Sequence, residues 1–302
     1  MAAAPAWHDG MGIPVRKVPA VLAVLTGVRL PQGALPQDAL QRAAGTVGIA
    51  YAPRRAMIPA TPVVHTADTG GRVGGEPAHL MACETAAATV SQIRPRHRHE
   101  DVQEVLPADA AGVMVTDRGC SDDAQAGDGV AQHKCLAPML RSISAVVERK
   151  TGRARDFGVQ LKARLQAALA WWQRHRDTPV ADFKVEAEVR QAELTYQRRD
   201  RRRQDRDHQR LLHELGWPHD RGHVRRFLTD PRLEPTNHRA ERAVRPAVIA
   251  RKGSHGAKNG AGAHAFAALT SVVRTLATPR VDALVEHLYQ LFRGPDVQAT
   301  PP

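Results

Sequence analysis

The sequence predicts an α/β protein, a mixed β-sheet interrupted by an α-helical insertion. Three observations predict it. Short apolar segments of strand length, bounded by turn residues, follow one another from Thr61 onward. A helical pattern, "RHRHEDVQEVL", then precedes one more apolar segment, as the crossover to a parallel strand requires. Beyond it, residues 139–227 combine helical spacing with a dense positive charge.

Residues 1–60 are rich in Ala, Pro and Gly and make a helical lead-in, with helices expected around "VPAVLAVLTGV" and "LPQDALQRAAGTVG". Leu35, Ala39 and Arg42 keep helical spacing in the second. "TPVVHTAD", "AHLMACE" and "AATVSQI" read as three strands, and the Gly-rich or small-residue turns between them make an antiparallel meander. In "AGVMVTDRG", Val113, Met114 and Val115 form a buried strand ending at Asp117. Under this topology Asp68 and Asp117 stand at the same end of neighbouring parallel strands.

The insertion's clearest helix is "ARDFGVQLKARLQAALAWW", where Phe157, Leu161, Leu165, Leu169 and Trp172 form an apolar stripe suited to core packing. "YQRRDRRRQDRDHQR" reads as a solvated face or loop, or as a surface that tracks phosphates. In "PTNHRAERAVRPAVIARK", Thr236 or Asn237 suits an N-cap, and Ala240, Val244 and Val248 keep a helical stripe. Pro246 is expected to kink or loosen that helix. "GSHGAKNGAGAHA" reads as a Gly-rich loop, "FAALTSVVRTLA" as a last amphipathic helix, and "GPDVQATPP" as a frayed end. The expected organisation is a lead-in (1–60), a core in two parts (61–138 and 228–275), the insertion (139–227) and a C-terminal helix and tail (276–302).

The chain of 302 residues is 42% hydrophobic and 25% charged, a globular balance rather than a disordered one. Its 43 Lys and Arg against 31 Asp and Glu give a net charge of +12. Such an excess suits a polyanionic partner, nucleic acid foremost, although an arginine-rich composition produces the same number. No apolar run approaches the ~18 residues of a membrane span. The opening "MAAAPAWHDGMG" has no basic segment followed by an apolar one, so no secretion signal is expected. Cys83, Cys120 and Cys135 show no CxxC spacing, and the histidines of "RHRHED" and "WPHDRGH" lack cysteine partners, so reduced thiols in a cytoplasmic protein are expected rather than a zinc site.

Asp68, Asp117 and Glu241 are the candidate metal ligands. Two strand-end aspartates and a helical glutamate suit a hard cation such as Mg²⁺. An ion pair about 3.5–4 Å apart stabilises the attacking and leaving oxygens of phosphodiester displacement. The same residues also fit turn-forming aspartates and a surface glutamate paired with arginine.

The wording of the motifs adds to this. "PTNHRAERAVRPAVIARK" closely resembles the signature around the catalytic Glu of insertion-sequence-66-type transposases. "GVMVTDRG", "KCLAPMLRSISAVVERKTGRARDFG", "GWPHDRGH" and "GIPVRKVPAVLAVLTGVRLPQGAL" resemble other segments of that family, covering most of residues 12–275. The resemblance implies a ribonuclease-H-like fold with an Asp-Asp-Glu triad, two Mg²⁺ or Mn²⁺ ions, DNA as substrate, and a homo-oligomer on DNA. It implies a cytoplasmic protein, nucleoid-associated when on DNA, that cuts transposon ends and transfers the strand to target DNA. Asp117 takes the second acidic position and Glu241 the third. Arg239, Arg242, Arg245, Arg251 and Lys252 are candidates for phosphate contacts, with structural salt bridges the other reading.

The first motif departs from the family. Aligned through Thr69-Gly70, Ala67 stands where the catalytic Asp is expected and Asp68 occupies the next position. Gly71, His238, Pro138 and Asp122 replace the family's usual Trp, Asn, His and Tyr. Neighbouring strand residues point to opposite faces, so an offset of one is a change of side. Two readings follow: a working transposase with Asp68 as its first ligand, or a truncated, inactive remnant that retains DNA binding.

Overall fold

The computed structural model describes residues 2–31, 33–96, 98–117, 130–180, 182–184, 187–188, 206–207, 209–211, 223–254, 256–277 and 282–293. After short helical turns at Ala3–Pro5 and Ala6–Gly10, its elements are α1 (Val18–Thr26), α2 (Ala34–Ala44), α3 (Thr46–Met57), β1 (Val63–Val73), β2 (Glu76–Glu84), β3 (Thr89–Arg94) and α4 (His99–Gln103). There follow β4 (Val113–Thr116), β5 (Ala131–Lys134), α5 (Leu136–Arg149), α6 (Gly152–His175), α7 (His238–Ser254), α8 (Gly260–Ala277) and α9 (Leu284–Arg293). This is a mixed α/β fold whose strands pair both antiparallel and parallel. The chain divides into two compact units, one formed by residues 1–111 and 238–302, the other by residues 112–237.

In the first unit β1, β2 and β3 form the expected antiparallel meander. Strand β1 is longer than its apolar part suggests. It runs through Asp68 and the Gly70-Gly71 pair, which face His79 and Ala78 in register, and turns only at Gly74-Gly75. Those two glycines have φ of 62° and 91°, the positive values that a tight two-residue hairpin turn demands. Asp68 is therefore a mid-strand residue rather than a strand end.

Helix α7 lies on this sheet, with Val244 and Ala247 packed against Leu80 and Ala82. It continues helical through Pro246. The ring removes only the bond to the carbonyl four residues earlier, that of the exposed Arg242. Helix α8 begins seven residues inside the supposed Gly-rich loop. Asn259 caps it, its Oδ1 accepting from Gly262 N at 2.9 Å. Its hydroxyls also close the edge of β3: Thr275 Oγ1 accepts from Thr89 N (3.0 Å) and Ser271 Oγ from Ser91 N (2.8 Å). Two strand-edge donors that would otherwise invite another strand are satisfied this way. The lead-in helices pack on the same helix, Val47 of α3 joining Ala268, Leu269 and Val272.

In the second unit β4 and β5 pair in parallel, Val113 with Ala131 through Thr116 with Lys134. Strand β5, "AQHK", is a strand that apolar alternation does not reveal, because Gln132 and His133 are both fully buried. Two of its polar groups are satisfied internally: Arg226 Nε donates to the Gln132 backbone O (2.9 Å), and His133 Nδ1 bonds His223 O (2.7 Å). A carbonyl only accepts, so Nδ1 carries the proton. Burial holds the His133 imidazole down at about 4. Helix α6 buries Phe157, Leu161, Leu165 and Trp172 as its stripe anticipates, with Ala168 and Trp171 in place of Leu169. The arginine-rich run at 196–210 and the "GWPHDRGH" segment lie almost wholly outside the described residues, as does Cys120.

Candidate active site

The two faces of β1 separate the residues that matter. Ala67 joins the cluster formed by Val244, Ala247, Leu80 and Ala82, so it faces α7. Two residues on, Thr69 Oγ1 accepts from Arg251 Nη1 of the same helix at 3.1 Å. Alternation then places His65, Ala67, Thr69 and Gly71 on the α7 side and Asp68 on the other. Asp68 is exposed there, its Oδ2 3.9 Å from His79 Nδ1.

Helix α7 runs along β1 in the same direction. Near its start Arg239 Nη2 donates to Thr85 O at 2.9 Å, and Arg239 Nε lies 3.8 Å from Glu84 Oε1. Its middle covers Ala82 and Ala67, and near its end Arg251 reaches Thr69. Glu241, half-buried in the first turn, falls between the Arg239 and Val244 contacts. A side chain at position 67 therefore faces the helix that carries Glu241, and one at position 68 does not. The methyl of Ala67 brings no ligand oxygen to that side.

Two buried residues on this face were not legible as site candidates. Glu84 of β2 is directly opposite His65 of β1, and both are almost fully buried. Thr89 Oγ1 donates to the Glu84 carboxylate. Burial pushes the Glu84 carboxyl up, opposed by the Thr89 hydroxyl and by the charges of Arg239, Arg274 and Arg242. Glu84 merely ends an apolar run in sequence, and only the pairing register reveals its position.

Asp117, in the second unit, follows β4 directly and is half-buried. Its Oδ1 is buried and has no hydrogen-bond partner among the described residues, which suits a metal ligand. Among the described residues no group of three His, Cys, Asp or Glu is disposed to hold an ion. Within the first unit, Ala67 gives a metal ion no ligand oxygen on the α7 side of β1.

The candidate DNA contacts on α7 divide by exposure. Arg242, Arg245 and Lys252 are exposed, along one outer stripe with the 44%-exposed Ile249. Arg239 is turned to the sheet and Arg251 to Thr69. None of the described helices is long and apolar enough to cross a membrane.

A sheet covered by a helix that carries an acidic first turn and a cationic outer stripe is an arrangement suited to acting on nucleic acid. Residues 2–265 match the model of the transposase IS66 family, and the chain belongs to that family. Family membership implies DNA as substrate and the use of divalent metal. No curated protein matches the chain.

Proposed function

We propose that this chain is a DNA-binding transposase of the Asp-Asp-Glu type whose phosphodiester chemistry is disabled at its first acidic position. The observation that carries this reading is the split of β1: Ala67 faces α7, and Asp68 lies on the opposite face beside His79. In this reading the fold is ribonuclease-H-like, with a helical insertion between the second and third acidic positions. Asp117 and Glu241 remain as ligands for Mg²⁺ or Mn²⁺. Two carboxylates without the third hold an ion weakly and leave one of a pair without its anchoring oxygen.

DNA binding, in contrast, needs only the cationic surface. Arg242, Arg245 and Lys252 supply phosphate contacts, and a second protomer assembles on paired DNA ends. The test uses terminal inverted-repeat DNA with Mg²⁺ or Mn²⁺. The wild-type chain is expected to bind this DNA with a steep salt dependence and to leave its ends uncut. Metal-dependent end cleavage by the wild type, lost in Glu241→Gln and in Asp117→Asn, would overturn the proposal. Affinity independent of salt would overturn its DNA-binding part.

A further inference from the structure

The first unit contains a cavity of about 510 Å³, within the roughly 300–1,000 Å³ range of small-molecule sites. It lies between the lead-in, the β1–β2 hairpin and the α7–α8 junction. Its polarity is graded. Phe266 and Leu269 give it apolar walls, and two carboxylates line it: Asp38, held by Arg42 Nε at 2.8 Å, and the buried Asp9, 3% exposed. Arg72 and Lys258, both exposed, and the half-buried Arg251 stand on its lining as cations.

Each feature narrows the ligand. The rings of His8 and Phe266, with centroids 5.7 Å apart, both line the cavity and remain half-buried, leaving ring surface for a planar group. Asp9 Oδ1 accepts from Thr270 Oγ1 at a long 3.5 Å, so its carboxylate retains capacity to accept N–H donors. Arg251 uses one nitrogen on Thr69 and Arg72 one on Gly75 O (2.7 Å), which leaves each with further donors for an anion. A ligand with a flat, N–H-bearing, apolar end and an anionic end matches this gradient.

We infer that the cavity binds a nucleotide, its base inside against Phe266 with N–H groups on Asp9, and its phosphate at Arg72, Arg251 and Lys258. Guanine fits best, because N1–H and the N2 amino group present two parallel donors to one carboxylate. The nucleotide comes either from an extrahelical position in bound DNA or free from solution. Only the first source rests on the DNA-binding function proposed above. Reading a base out of the stack by its hydrogen-bonding edge and by ring contact is how base-flipping proteins hold their target.

The test titrates the full chain with dGMP and dTMP, and with a duplex carrying one unpaired guanine beside its fully paired control. The cavity is blocked by Gly71→Trp. Gly71 lines it, has no positive φ, and a Cβ there meets nothing closer than 3.7 Å. The carboxylate is removed by Asp9→Asn and the rim charge by Lys258→Ala. The expected result is dGMP binding about tenfold or more tighter than dTMP. Gly71→Trp and Asp9→Asn should each weaken dGMP at least about tenfold. Lys258→Ala should weaken dGMP and leave deoxyguanosine unchanged.

Tighter binding of the unpaired-guanine duplex than of its control, lost in Gly71→Trp, assigns the extrahelical source. dGMP binding without that gain assigns the free nucleotide. Equal affinity for dGMP and dTMP, or dGMP binding unchanged in a folded Gly71→Trp, overturns the inference. Should Gly71→Trp not fold, Asp9→Asn decides alone. Paired-duplex binding that survives while dGMP binding fails leaves the DNA-binding proposal standing, and the reverse leaves the cavity standing.

Discussion

Asp9→Asn should stabilise the protein at neutral pH, although it removes a charge and adds no contact. Asp9 is 3% exposed, and burial raises its carboxyl from 3.8 to about 6, against the opposing effects of the His8 charge and the Thr270 hydroxyl. The folded state thus holds the Asp9 proton more tightly than the unfolded state. Between pH 3.8 and about 6 the native chain binds more protons, so this group's contribution falls as pH rises through that window. At about 1.36 kcal/mol per pH unit, the charged carboxylate costs up to about 3 kcal/mol above pH 6. Asparagine has nearly the same shape, keeps an oxygen for Thr270 and carries no charge at any pH. Urea unfolding of both proteins at several pH values between 4 and 8 measures the difference. Asp9→Asn should be the more stable by up to about 3 kcal/mol at pH 7.5, with the gap shrinking towards pH 4. A gap independent of pH, or a variant less stable at pH 7.5, would refute the argument that burial of this carboxylate works against the fold.

Further predictions concern the second unit and α7. His133, held down at about 4 by burial, must stay neutral in the fold, so its contribution is fully present above pH 6.5 and is lost as pH falls towards 4. His133→Gln should flatten that acid limb, as followed by unfolding between pH 4 and 7. Arg239→Ala removes a counter-charge from the buried Glu84 and should destabilise by about 2 kcal/mol, with Glu84→Gln recovering part of the loss in the double variant. Arg242→Ala, Arg245→Ala and Lys252→Ala should each reduce the salt slope of DNA binding by about 1 while leaving thermal stability nearly unchanged. An unaltered slope in all three would place the DNA elsewhere.

The meander and the stripe of α6 were legible because apolar spacing at a period of two or near 3.6 reports a buried face directly. The extent of β1 was not, since Gly70-Gly71 and Gly74-Gly75 look alike in sequence and only the second pair adopts positive φ. The lead-in shows the same limit. "LPQDALQRAAGTVG" reads as one helix, whereas α2 and α3 part at Gly45. Strand β5 stayed hidden because it buries Gln132 and His133, whose backbone carbonyl and Nδ1 are bonded by Arg226 and by the His223 carbonyl, residues about 90 positions away. At the candidate site the one-residue offset was readable from motif register, but the side each residue faces came from Val244 and Arg251 packing on Ala67 and Thr69. His65 and Glu84 form a buried cross-strand pair that no local pattern announces. Asp9 likewise gains its character from helix α8, more than 250 residues further along.

In the proposed reading the α7 side of β1 lacks its carboxylate, and Asp68 does not replace it. Cleavage of terminal inverted-repeat DNA by wild type, Asp68→Ala and Ala67→Asp, in Mg²⁺ and in Mn²⁺, tests it directly. The account predicts no cleavage by wild type or Asp68→Ala, and cleavage gained in Ala67→Asp. Cleavage by wild type that is abolished in Asp68→Ala would contradict it.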